Sequence, residues 1–224
     1  MEINSQQRKK TIVFLGPSMP VQEAKTFLDA IFVAPIKRGD LSKIDLTSVS
    51  NICIIDGVFY GSYSVSPFEI IEILQKGINF FGAASMGALK ALECEKFGMR
   101  GIGKIFNWYK SKKIDAEDEV AVSFNPVSHT TLSTPLVNVR FLLSKALEIK
   151  QITSKEKNKI IQIAQNIYFP QRNYQLIFET ALKEGIPMQK VKFLKKMSAN
   201  KKYDLKFQDT LLCLKEINNN FNNL

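Results

Sequence analysis

Three short apolar runs, Thr11–Leu15, Ile52–Ile55 and Ile78–Phe81, each stop at small or turn-forming residues and give way to a helical pattern. The first ends at Gly16-Pro17 and precedes a helix predicted from about Pro20 to Ile31. The second ends at Asp56-Gly57. The helix after it starts at Ser66-Pro67-Phe68-Glu69, where Ser66 can cap, Pro67 suits the first helical position and Glu69 completes a capping box. The third leads into a helix over Ser85–Phe97, closed by Gly98. Continuous apolar strands alternating with helices predict an α/β fold with a parallel sheet covered by helices on both faces. Right-handed crossovers bring the C-terminal ends of such strands to one edge, where ligands bind. Three turns converge there: Gly16–Ser18, Asp56–Gly57 and Gly82–Ser85.

Beyond Gly101 the pattern predicts a helix over Ile102–Lys112 and a strand over Glu119–Phe124. From Pro135 a mostly helical C-terminal part follows, with helices over Leu136–Ile149, Ser154–Tyr168, Tyr174–Glu184, Val191–Met197 and Leu205–Asn218. The expected organisation is an α/β core over residues 11–134 with a basic helical region, 135–224, packed on it. Charge follows the same division. Through Val139 there are 15 basic and 14 acidic residues; from Arg140 onward there are 16 and 7, so the second part carries +9 of the net +10. A basic face of this kind suits an acidic partner. Without a finger, RNP or helix-turn-helix signature, no specific nucleic-acid partner is expected. No apolar run reaches the roughly 20 residues of a membrane span, and Met1–Lys10 lacks the apolar stretch of a signal peptide. The three scattered cysteines, Cys53, Cys94 and Cys213, read as reduced thiols of a cytoplasmic protein. With one histidine, His129, a histidine-rich zinc site is excluded, and neither metal nor cofactor is expected.

The segment Ala83-Ala84-Ser85-Met86-Gly87 differs from a G-x-S-x-G nucleophile elbow by one small residue, and small neighbours allow a tight turn that exposes a hydroxyl. Ser85 could act as nucleophile, with backbone N–H groups at the helix start facing an oxyanion; it could equally cap its helix. A base is needed. His129 lies in a loop, while Lys37 and Lys104 stand where loops or helix starts could reach the edge. Lys90, five residues on, points away from Ser85 around the helix. Arg38 can hold a carboxylate or phosphate bidentately, with Asp40 beside it in the same flexible turn. Asp56, Glu119 and Arg140 are further candidates for binding substrate or for structural pairing. Gly82 and Gly87 have the spacing of a phosphate loop, but Ala88-Leu89 replaces its Lys-Ser/Thr pair; anion binding at the helix start is what remains of that reading.

These segments form an ordered set: Phe14–Ser18, Arg38–Leu41, Ile55–Phe59, Gly82–Leu89, Phe97–Met99, Asp118–Ala121 and Pro135–Arg140. In that order they resemble the core domain of TfuA-like proteins, with Arg172 and Asp209 extending the likeness more weakly. The resemblance implies an accessory protein for a YcaO-type enzyme, which activates a backbone amide with ATP. In thioamide-forming systems it implies hydrolysis of a thiocarboxylated, ubiquitin-like sulfur carrier through a Ser–Lys type of site, with help in recruiting the precursor peptide. Ser18 and Ser85 both match the family's serine-containing motifs, and turn geometry favours Ser85. Two departures stand out: Phe68 occupies a position where the family often has lysine, and Lys90 one where it usually has arginine.

Overall fold

The computed structural model describes residues 10–59, 63–125, 127–128 and 130–221. Its centre is a five-stranded, all-parallel sheet made of β1 (Lys10–Phe14), β2 (Ile31–Val33), β3 (Val49–Ile54), β4 (Asn79–Ala83) and β5 (Arg100–Ile102), ordered β2-β1-β3-β4-β5. The period-2 alternation of a strand assigns its side chains to two cores. Ile12, Phe14, Ile52, Ile54 and Phe80 face one side, where α2 (Pro67–Gln75), α3 (Met86–Cys94) and α4 (Lys104–Lys110) cover them. Val13, Leu15, Cys53, Ile55 and Phe81 face the other. That side is closed by α1 (Val21–Ala24) and by the last helix, α9 (Leu205–Phe221), through Phe207, Cys213, Leu214 and Ile217. Between them α5 (Leu136–Glu148), α6 (Ser154–Asn166), α7 (Tyr174–Lys183) and α8 (Met188–Ser198) bury a third core of their own. The helical part opens with α5 at Leu136, and α9 returns to the sheet and forms one of its covers.

Three predicted elements differ from the structure. The helix expected over Pro20–Ile31 is the single turn α1 followed by β2. Thr26 Oγ1 hydrogen-bonds the Glu23 carbonyl, and the β-branched and aromatic Ile31–Val33 pair with β1 instead. The helix expected from Ile102 starts at Lys104, because Arg100–Ile102 is recruited as β5 by the register Phe81↔Arg100 to Ala83↔Ile102. Neither short strand has a periodic signal of its own. Glu119–Phe124 is not a strand. Glu119 ends a 3-10 turn and is buried, and Phe124 keeps one isolated bridge to Thr131.

The capping box at α2 forms as expected: the Ser66 N–H donates to Glu69 Oε1 at 2.9 Å and the Phe68 N–H to Ser66 Oγ at 3.2 Å. The free oxygen of Glu69 accepts the Gly39 N–H at 2.8 Å, so the same carboxylate anchors the loop after β2. The β4–α3 junction is held by close backbone approach. A Cβ on Gly87 would lie 1.8 Å from the Ile54 carbonyl oxygen, and one on Gly82 would lie 2.1 Å from that of Gly87. Gly87→Ala is therefore expected to lower stability by about 3 kcal/mol in urea unfolding, because backbone must move. Gly39→Ala, at φ +79 with open space around it, should cost only about 1 kcal/mol.

Candidate functional site

In the order 2-1-3-4-5 the chain leaves β1 toward one side of the sheet and β3 toward the other, so their C-terminal ends part and leave a crevice. The exits of those two strands supply Gly16–Ser18 and Asp56. Asp56 is 2 % exposed and its carboxylate is fully engaged. Oδ2 accepts the N–H groups of Gly16 and Ser18 at 2.9 and 3.0 Å, and Oδ1 accepts the Ser18 hydroxyl at 2.7 Å.

A third member comes from the start of α9. Lys206 Nζ lies 3.7 Å from Asp56 Oδ1 and donates to the Val120 carbonyl at 3.1 Å. Its side chain is buried, and that burial pushes the ammonium below the usual lysine range; the carboxylates of Asp56 and Asp204 oppose the shift. Asn138 of α5 fixes the approach. Its Nδ2 donates to Asp204 Oδ1 at 2.8 Å and its Oδ1 accepts the Lys206 N–H at 3.1 Å. Asp204 Oδ1 also accepts the Phe207 N–H, which caps α9, and burial raises its carboxyl. Ser18 and Asp204 border an outer pocket of about 480 Å3, and Ser18 and Lys206 share a smaller one of about 30 Å3 behind it. The arrangement sets a hydroxyl donating to a carboxylate that is also held by a desolvated amine, a set able to move a proton off serine.

Ser85 forms no hydrogen bond with Ser18, Asp56 or Lys206, although its turn lies beside the exit of β3, where the Gly87 N–H donates to the Ile55 carbonyl at 3.2 Å. Ser85 is 2 % exposed and makes no side-chain hydrogen bond among the described residues. The positive φ of the turn falls on Ala84 (φ 63), and the Ser85 N–H bonds the Ala83 carbonyl at 2.7 Å, as in a γ-turn. The strained residue thus stands one place before the serine of the sequence pattern. Gly82 and Gly87 serve the packing of that turn. Lys90 pairs with Glu93 at 2.8 Å.

The proposed lysines join neither serine. Lys104 Nζ sits over the Phe141 ring at 5.2 Å, and Lys37 borders an apolar groove beside β2. Arg38 Nε reaches the Ser64 carbonyl at 3.4 Å, and Asp40 pairs with Lys43 at 3.0 Å. Glu119 and Arg140 form a bidentate pair at 2.6–3.0 Å, which ties the 3-10 turn to α5. The buried Arg172 pairs with Asp118 at 3.1 Å and ties the same turn to the segment before α7. His129 lies outside the described residues.

The sequence model of a family described as TfuA-like protein matches residues 56–173, 118 of the 224. The chain belongs to the TfuA-like family. No curated protein matches it. Membership supports an accessory role of the TfuA type, and no described helix is long and apolar enough to cross a membrane. The matched span of this TfuA-like chain contains Asp56, Ser85, Glu119, Arg140 and Arg172; Ser18 and Lys206 reach the crevice from either side of it. Lys206 was missed from sequence because nothing local places α9 against the sheet. One signal was available: a cation in the first turn of a helix, between the apolar Leu205 and Phe207, violates both the dipole preference and the apolar stripe.

A second buried carboxylate of α9 gives a pH test. Asp209 accepts the N–H groups of Lys104 and Ile105 at 2.9 and 2.7 Å, yet burial outweighs them and pushes its pKa up to about 6. A carboxyl whose folded pKa exceeds its unfolded 3.8 binds more protons when folded, so its contribution to stability falls as pH rises from about 4 to about 6. Urea midpoints across that window should fall more steeply for the wild type than for Asp209→Asn; parallel curves would contradict the shift.

Proposed function

We propose that this TfuA-like chain is a cytoplasmic accessory protein of a YcaO-type enzyme in backbone thioamidation of a ribosomally made peptide, and that Ser18, Asp56 and Lys206 release sulfide from a thiocarboxylated, ubiquitin-like carrier. The reading is carried by one observation: the Ser18 hydroxyl donates to Asp56 Oδ1 at 2.7 Å, beside the buried Lys206, in the crevice between β1 and β3. Ser18 Oγ bonds to the carrier's terminal carbonyl carbon, the C–S bond breaks, and sulfide leaves. The serine proton passes to Asp56 Oδ1 and the Lys206 amine, whose neutral form burial favours, and from there to the departing sulfide. Water then cleaves the Ser18 ester, giving the carrier carboxylate and restoring the hydroxyl. Sulfide goes on to the amide activated by the YcaO enzyme.

A noncatalytic role as recruiting partner is the second reading. It is favoured by the 5 % exposure of Ser18 and by the fact that Asp56 also fastens the Gly16–Ser18 turn. In that reading the basic helices dock on the YcaO enzyme or on an acidic precursor. Sulfide release from a thiocarboxylated carrier separates the two. Ser18→Ala and Lys206→Met should each lower the rate by about 10²-fold or more, while Ser85→Ala stays within about threefold of wild type. Unchanged release in Ser18→Ala, with complex formation lost on charge reversal across Lys192–Lys202, is the result the recruiting role predicts.

A further inference from the structure

A second concave surface lies away from the crevice. It is a groove of about 600 Å3 beside the outer strands, floored by Ile12, Phe14, Val33 and Ile44. Ile12 and Phe14 of β1 are buried in that core, whereas Val33 of β2 and Ile44 are only partly buried, so the apolar lining of the groove is open mainly at these two. Next to the groove is a strand edge that no other described strand pairs with. β2 is the terminal strand, and the Val33 carbonyl accepts the Leu15 N–H at 2.9 Å. Successive residues of a strand turn their peptide groups to opposite sides. Ile31 and Val33 therefore face β1, and Phe32 presents its N–H and C=O to the open side. The edge lacks the lysine, proline or bulge that blunts exposed strands; Ile31 is 44 % exposed. Lys37 lines the same groove. Its neighbour Asp40 is taken by Lys43 and by the Lys37 N–H, and Lys37 Nζ makes no ion pair among the described residues.

We propose that β2 and this groove bind an extended, acidic peptide as a sixth strand, with an apolar side chain in the groove and its terminal carboxylate on Lys37. Main-chain bonds to Phe32 supply register, the groove selects alternate apolar residues, and the ammonium selects the free carboxylate. The short strand offers few backbone bonds, so the groove and Lys37 carry most of the selectivity. The site deepens the recruiting side of the proposed function. The test uses a free peptide and no YcaO enzyme, so its failure leaves the Ser18 chemistry and the docking of the basic helices standing.

The probe is a fluorescein-labelled hexapeptide that alternates glutamate with valine and ends in phenylalanine, with either a free carboxylate or an amide. Fluorescence anisotropy should show saturable binding of the acid and about tenfold weaker binding of the amide. Lys37→Met should weaken the acid about tenfold and leave the amide unchanged, and Ala34→Trp, placed on the exposed rim, should abolish both. Ser18→Ala should bind like the wild type. No saturation up to about 1 mM, or equal binding of acid and amide, overturns the proposal. So does a concentration-dependent dimer that displaces the probe, since the edge would then take a second copy of the chain.

Discussion

The site depends on one carboxylate. Asp56 leaves β3 at the point where β1 and β3 diverge, and three hydrogen bonds from Gly16 and Ser18 draw the exit of β1 toward it. Buried, such an anion needs full satisfaction, and removing a partner from a buried pair costs about 3–5 kcal/mol. A further contact comes from far along the chain through Lys206, 3.7 Å from Asp56 Oδ1, at the start of a last helix that packs on the sheet through Phe207, Cys213, Leu214 and Ile217. Asn138 couples that contact to the helical part, because it holds both Asp204 and the Lys206 backbone. Sheet, helical region and crevice are therefore one electrostatic unit, with Asp56 at its centre.

Two other ion pairs extend the logic outward without touching the crevice. Glu119–Arg140 and Asp118–Arg172 fix consecutive residues of one 3-10 turn to α5 and to the segment before α7. Val120, the next residue, then offers its carbonyl to Lys206. Charges that read from sequence as substrate contacts are in this way spent on placing the backbone that faces the lysine. The positive φ at Ala84 is a separate cost, of order 1–3 kcal/mol, met by the close packing of Gly82 and Gly87 beneath it.

Local signals in the sequence were reliable where the cause is local. The apolar runs became β1, β3 and β4, the Ser66–Glu69 box capped α2, and the small residues at Gly82–Gly87 made a tight turn. The sheet edge was legible for the same reason, and with it the company of Ser18 and Asp56. What was not legible is set by tertiary contact. β2 and β5 are three residues each and exist because β1 and β4 offer registers. The choice between Ser18 and Ser85 turns on Asp56 and Lys206, which no spacing connects. Lys37 and Lys104 were reasonable candidates for the base, but one ends at the outer groove and the other over the ring of Phe141.

In the proposed chemistry Ser18 is the residue that becomes acylated. Brief reaction with a thiocarboxylated carrier, acid quench and peptide mass mapping reads it directly. A carrier ester is expected on the peptide that contains Ser18, and none in Asp56→Asn. An ester on Ser85, or sulfide release with no adduct at any time point, would contradict it.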